Sequence, residues 1–473
     1  MAPSAAATIR AIACGEKTAV AVVTEALAAI EATDGELHSC IEVCRETSLA
    51  AAAAIDAKFA AGEPLGKLAG LPIVVKANLD VAGTLSTAAT PALKDWRPSS
   101  NADCVQPLVD AGAIVIAKTN MPELAMRGGG WSSLHGICYN PRNRARVAGG
   151  SSSGTASAIA AGFVSVGLGS DTAGSTRLPA ACCGIVGMRP SRGRWPGAGC
   201  VPLDGCKDTP GPMGATVADV ALLDAVVCGD AEPAAVPASL EGVTVLVAED
   251  WMAKFADANS AGATDAVNVA RAALEAVGAK VISDEGMCAA VVDLEPCMFP
   301  TPRVAPPPPR LPALQEYLER HADRPEGIAR AEQVVELMTG KLPKYVWSSH
   351  LNGGYTDEMK AAHEEYLAKA KDATEAAYRK FFADKGIQAV LVPAIPDEPP
   401  SIDGWTAEEE PSPMPLVLMS KYTMSFNSCN IPSLSLPTRV IGAASGIPMS
   451  VLLWGVDDRE LLGVGAALEK AMQ

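Results

Sequence analysis

Three residues in this chain carry side chains that chemistry can use, in surroundings that favour using them. Lys76 ends the apolar run LPIVVK, Ser151 sits in the turn GGSSSG, and Ser175 sits in a second turn, GSDTAGSTR. Turns of Gly, Ser and Thr expose backbone N–H donors and let a ligand approach closely. A hydroxyl among such donors, with an amine able to take its proton, is the equipment of nucleophilic catalysis. A lysine behind Ile73, Val74 and Val75 is expected to be buried or half-buried, and such a lysine is more often snorkelling or salt-bridged than a base. As a base at neutral pH it must be uncharged, which from a reference pKa near 10.4 costs roughly 4.6 kcal/mol in water. Burial among apolar groups and hydroxyls lowers that cost.

Other chemistries fit less well. The G-x-S-x-G pattern at Gly150–Gly154 nominates Ser152 as an α/β-hydrolase nucleophile. That fold needs an acid and then a histidine downstream, and the later histidines lie in charged helical or polar segments. No G-x-x-x-x-G-K-[ST] occurs, and no G-x-G-x-x-G follows a strand, so a phosphate cradle is not expected. Cys182-Cys183 and the spaced Cys40 and Cys44 lack a second pair or a histidine at ligand spacing, so no metal is expected.

The elements that must position these residues follow from periodicity. Residues 1–62 read as a helical N-terminal wrap, with Val22, Val23, Leu27 and Ile30 at helical spacing. The β-branched run after Gly70 reads as a buried strand, followed by a helix ending near Gly112 and a strand over Ala113–Ala117. GFVSVGLG reads as a buried strand between the two hydroxyl-rich turns, which should meet at one pocket. VADVALLDAVVCG predicts a helix, LEGVTVLVAED a strand and DAVNVARAALEAVGA another helix. The run Pro300–Pro312 predicts an extended surface segment, with charged helix beyond it to about Ala383. GIQAVLVPAIP predicts a strand, and IPSLSLPTRVIGAASGIPMSVLLWG two strands around Gly446 that rejoin the same sheet. Strand and helix alternate, which points to an α/β core.

The totals narrow the function. At 473 residues and 49% hydrophobic content the chain can build a large core. Its net charge of −16 repels phosphate backbones and anionic lipid, so neither nucleic acid nor membrane is an expected partner. Thirteen cysteines without an even framework fit a reducing compartment, and the expected location is cytoplasmic.

In order along the chain, GLPIVVKANLDVAG, AGAIVIAKTNMPELA, GGSSSGTASAIAAG and GSDTAGSTRLPAACCGIVGMRP resemble the hallmark segments of the amidase signature hydrolases. The likeness is close from about Gly66 to Gly229 and loose over roughly the last 90 residues. It implies one amidase domain over 1–473, with a large twisted mixed β-sheet flanked by helices on both faces. Within it, 1–62 is the wrap, 66–229 the signature core, 230–383 a variable, pocket-covering region, and 384–473 the return to the sheet. The family's Ser-Ser-Lys triad falls on Ser175 as nucleophile, Ser151 as relay after a cis peptide, and Lys76 as base. The amides of Thr172, Ala173, Gly174 and Ser175 would form the oxyanion hole; Ser152, Asp171 and Arg177 would be structural support, the last two as a pair bracing the nucleophile loop. Ala125, Met126, Arg127, Gly128, Gly129 and Gly130, with Trp131, fall where the family lines its acyl pocket.

One departure is DTAGS where many relatives carry DTGGS; positive φ at Ala173 would strain it by about 1 to 2 kcal/mol. The same alanine occurs in relatives acting on urea-like or carbamoyl substrates, and it is read as tolerated. The stretch from Gly187 to Val227 resembles the indoleacetamide and mandelamide hydrolase branch more than the protein that supplies ammonia to transfer-RNA-bound glutamate. The resemblance thus implies a cofactor-free hydrolase of small, arylalkyl amides. Carbamate or urethane cleavage, or aryl ester or anilide cleavage, is the alternative within the class. A partner-dependent amidotransferase subunit or a non-catalytic homologue is the alternative outside it. Many members are homodimers, though no stretch here marks an interface.

Overall fold

The computed structural model of the chain describes residues 2–205, 207–283, 286–287, 310–321, 324, 327–339, 344, 361, 372–406, 419–424, 427 and 429–473. Among the described residues thirteen strands run in chain order: β1 (Cys40–Val43), β2 (Pro72–Lys76), β3 (Ile114–Thr119), β4 (Trp131–Ser132), β5 (Gly136–Ile137), β6 (Val166–Asp171), β7 (Val186–Arg189), β8 (Thr209–Gly214), β9 (Thr244–Val247), β10 (Lys280–Ser283), β11 (Ala389–Pro393), β12 (Ser433–Ile441) and β13 (Pro448–Trp454). Eleven of them form one sheet in the order β1-β3-β2-β6-β8-β7-β12-β13-β11-β9-β10, and β4 and β5 pair separately. β2 runs parallel to β3 and β6, β9 parallel to β10 and β11, and the pairs between are antiparallel. The sheet is therefore mixed, with helices on both faces. The expected return of the C-terminal strands to it is observed.

Side-chain alternation divides the two faces. On β2, Ile73 and Val75 join the apolar cluster of Leu108 and Leu223, whereas Val74 joins that of Ala156 and Ile159. On β9, Val245 and Val247 pack with Ala266, Ala270 and Leu274, while Leu246 packs with Trp251 and Phe382. Lys76 continues the Val74 face, toward the helix Ser153–Ala160.

Two expectations need correction. The N-terminal wrap holds helices Ala5–Ala13, Ala19–Leu37 and Arg45–Ala60, but β1 interrupts it and pairs antiparallel with β3 at the sheet edge. The four residues of β1 are too few for period-two alternation to declare itself. Of the Pro300–Pro312 run, residues 300–309 lie outside the described residues, and 310–312 open the helix Arg310–Arg320. Pro312 falls in the first turn, where an N–H has no helical acceptor to lose. No described helix is long and apolar enough to cross a membrane.

Candidate active site

Three neighbouring pieces of the sheet and its cover meet at one buried point. Lys76 ends β2, Ser151 stands in the turn before the helix Ser153–Ala160, and Ser170 lies on β6, beside β2. Lys76 Nζ is 2.8 Å from Ser151 Oγ and 2.9 Å from Ser170 Oγ, and it also reaches the Ser170 carbonyl at 3.4 Å. Lys76 and Ser151 are fully buried, while Ser175 retains 7% exposure. The Gly150–Ser151 peptide is cis. Ser175 is joined to the same turn by its carbonyl, which accepts the Ser152 N–H at 3.1 Å. Among the described residues no hydrogen bond joins the Ser151 and Ser175 hydroxyls. The amine and first hydroxyl are in contact, and the second hydroxyl is on the adjoining loop.

Ser152, the rival nucleophile, is committed elsewhere. Its buried Oγ accepts the Ser170 N–H and donates to the Ser170 carbonyl, both at 3.3 Å, so it staples the turn to β6.

The loop that carries Ser175 is organised by Asp171. Its Oδ1 accepts the Gly174 N–H at 2.8 Å and its Oδ2 the Thr176 N–H at 3.1 Å. Arg177 grips the same carboxylate with Nε and Nη2, each at 2.9 Å. The Gly174 amide, one of the four expected oxyanion donors, is therefore engaged with Asp171 in this structure. The amides of Thr172, Ala173 and Ser175 make no hydrogen bond to protein among the described residues. Left-handed backbone falls on Gly174, φ +114°, and not on Ala173, so DTAGS carries no strain at its alanine. A Cβ on Gly174 would lie 2.3 Å from Thr423 Oγ1.

Burial sets the electrostatics. It pulls the Lys76 ammonium down to about 7, against the opposing pull of Cys200, Asp171 and Asp208. Burial pushes the Asp171 carboxyl up, but the charge and hydrogen bonds of Arg177, with Arg189 behind, hold it well below the usual carboxylate range. Asp208, which accepts from the Thr172 hydroxyl and the Leu203 and Asp204 amides, is pushed up to about 6 by burial and by Asp204. With Arg192, Gly193, Trp195 and Asn430 it also lines a cavity of about 420 Å³ that none of Lys76, Ser151 and Ser175 lines.

The stretch Ala125–Gly130 lies against the first hydroxyl-rich turn. A Cβ on Gly150 would come 2.9 Å from the Arg127 carbonyl and 3.1 Å from the Gly128 carbonyl carbon. A Cβ on Gly130 would sit 3.3 Å from the Gly149 carbonyl. The glycines thus serve close backbone approach at Ser151. Leu124 and Ala125 turn the chain there with φ of +46° and +58°. Trp131 Nε1 donates to the Thr406 carbonyl.

Sequence reasoning missed Ser170 and Asn78, whose Nδ2 donates to Ser170 Oγ at 3.0 Å, although both lie inside quoted motifs. It also missed Arg189, Thr423 and Asn427. The last two come from a segment some 250 residues beyond the loop that carries Ser175, and no local pattern marks them.

The profile of the amidase family matches residues 21–462. Along nearly its whole length the chain is 32% identical to the A subunit of a glutamyl-tRNA(Gln) amidotransferase from Synechococcus sp. (strain CC9605), over 97% of this chain and 94% of that one. With the corresponding Nostoc punctiforme protein it shares 42% identity over 214 residues, 45% of this chain and 44% of that one. Among solved structures, native peptide amidase from Stenotrophomonas maltophilia superposes with a TM-score of 0.74 at 25% identity, covering 99% and 96%. A chain from a vestigial protein complex bearing on the origins of an s-triazine catabolic enzyme gives 0.77 at 26%, covering 99% and 98%. The curated likeness is to amidotransferase subunits, and it does not carry the indoleacetamide and mandelamide branch.

Proposed function

The chain belongs to the amidase family, and from that premise we propose that it cleaves amide C–N bonds through an acyl-enzyme on Ser175. The observation that carries this reading is the 2.8 Å contact between a fully buried Lys76 amine and Ser151 Oγ, next in the chain to the Ser152 N–H that binds the Ser175 carbonyl. Ser175 Oγ attacks the carbonyl carbon; its proton moves to Ser151 Oγ as the Ser151 proton moves to Lys76 Nζ. The oxygen that gains charge accepts from the amides of Thr172, Ala173 and Ser175. The C–N bond then breaks, Lys76 returns its proton through Ser151 to the departing nitrogen, and water hydrolyses the Ser175 ester by the reverse relay. Asp171, Arg177 and Ser152 hold the two turns, and Ala125–Gly130 borders the acyl group. Labelling of Ser175 by a fluorophosphonate, located by peptide mass, tests the assignment.

The likeness to an amidotransferase component over almost the full chain favours a second reading, in which the same cleavage supplies ammonia to a partner-held acceptor. With a net charge of −16 the partner would make any nucleic-acid contacts. The stand-alone reading, a hydrolase of small arylalkyl amides or carbamates, is separated from it by one measurement. Ammonia release by the purified chain is followed on L-glutamine, indole-3-acetamide, mandelamide and small carbamates. Turnover of an aryl substrate without any partner favours the hydrolase, whereas release confined to glutamine favours the amidotransferase component.

A further inference from the structure

A trans peptide is planar, so its C=O and the following N–H point in opposite directions, and whatever holds the carbonyl also aims the N–H. The nucleophile loop can be accounted for plane by plane. The Ala173 carbonyl accepts from Thr423 Oγ1 at 3.3 Å, and the N–H of that plane, Gly174, is spent on Asp171. The Ser175 carbonyl accepts from the Ser152 N–H, and its partner N–H, Thr176, is likewise spent on Asp171. The three amides that make no hydrogen bond among the described residues lie on planes held from behind. The Gly174 carbonyl, ahead of Ser175 N–H, accepts the Leu178 N–H at 2.6 Å. The Asp171 carbonyl, ahead of Thr172 N–H, accepts from Arg189 Nη1. The Thr172 carbonyl, ahead of Ala173 N–H, accepts from Asn427 Nδ2 at 3.0 Å.

We infer that Asn427 is a positioning residue for the reaction: by holding the Thr172 carbonyl it aims the Ala173 amide at the oxygen that gains charge. This rests on the acyl-enzyme reading above. Asn427 is 1% exposed and every polar atom of its side chain is used. Nδ2 also donates to the Thr423 carbonyl at 2.9 Å, and Oδ1 accepts from Arg177 Nη2 at 2.9 Å. Its own carbonyl accepts from Arg189 Nη2 at 2.6 Å, so the two residues behind the unspent amides of Thr172 and Ala173 hold each other. Asn427 reaches the loop from outside the signature segments and fixes an orientation that the loop's own residues leave open.

The test is Asn427→Asp, which keeps shape and the acceptor toward Arg177 but removes the Nδ2–H donor. Asn427→Ser, which shortens the side chain without adding a charge, guards against misfolding. Fluorophosphonate inactivation is resolved into kinact and KI for each folded variant. Losing an aimed donor lowers kinact about 100- to 1000-fold for Asn427→Asp, with KI within threefold of the parent, because only the charged oxygen of the transition state uses the amide. Parental kinact in a folded Asn427→Asp, a KI that weakens as much as kinact, or failure of both variants to fold each overturns the inference. Absence of Ser175 labelling in the parent instead overturns the acyl-enzyme reading beneath it.

Discussion

Arg177 holds Asp171 through two parallel hydrogen bonds, Nε to Oδ2 and Nη2 to Oδ1, each 2.9 Å long, with both side chains wholly out of solvent. The guanidinium also stacks over Trp454, 5.0 Å from the ring centroid. Arg177→Met leaves the buried carboxylate only the 3.5 Å contact with Arg189 as an ion pair, and the expected loss of stability is about 3 kcal/mol, read from urea denaturation. Because the folded Asp171 pKa is depressed, its contribution is present above the unfolded carboxylate value and is lost as pH falls below about 4. Asp171→Asn, if it folds, should lack that acid slope; an unchanged slope would assign it to other carboxylates.

A base held near 7 predicts the pH profile. Below about 7 Lys76 is an ammonium and cannot take the Ser151 proton, so kcat/KM should fall tenfold per pH unit there and level off above. A profile flat from pH 5 to 8 would remove lysine from the mechanism.

The same shift makes Lys76 a cost to the fold. The unfolded chain holds its lysine proton up to about 10.5 and the folded chain only to about 7, so stability rises with pH across that window. Lys76→Met should abolish turnover, by at least 1000-fold on the order of a lost general base, while raising Tm at pH 7 and removing the slope. A variant that keeps near-parental acylation contradicts the assignment.

Gly174 and Ala173 should respond oppositely. Gly174→Ala places a methyl group at φ +114° and 2.3 Å from Thr423 Oγ1, and overpacking with left-handed strain costs about 2 to 5 kcal/mol together. Ser175 labelling should fall at least 100-fold. Ala173→Gly, at ordinary backbone, should leave it within a few-fold; equal losses in both would show that the loop tolerates neither change.

Fluorophosphonate should react at Ser175 and leave Ser152 untouched, since the Ser152 hydroxyl is buried between the N–H and C=O of Ser170. Modification at Ser152 in the native protein would restore the α/β-hydrolase alternative.

Much of this was legible because local chemistry and tertiary role coincided. β-branched residues before Lys76 both form β2 and bury the amine, and the small residues at 149–154 and 169–177 both turn the chain and bring it close. Where local signals opposed the fold, reading failed. β8 carries Pro210 and Pro212 yet lies between β6 and β7, against the rule that keeps proline to sheet edges.

The order of segments determined the family and singled out Lys76, Ser151 and Ser175 as candidates, because a strand end and two glycine-rich turns are written within a few residues of the groups they present. Which amides remain available was decided only in three dimensions. Gly174 and Ala173 are neighbours in sequence, but one N–H is consumed by Asp171 and the other is turned outward by Asn427, 255 residues from the Thr172 carbonyl it holds. Hydrogen-bond direction depends on which distant side chain reaches each peptide plane, and no window of sequence contains both.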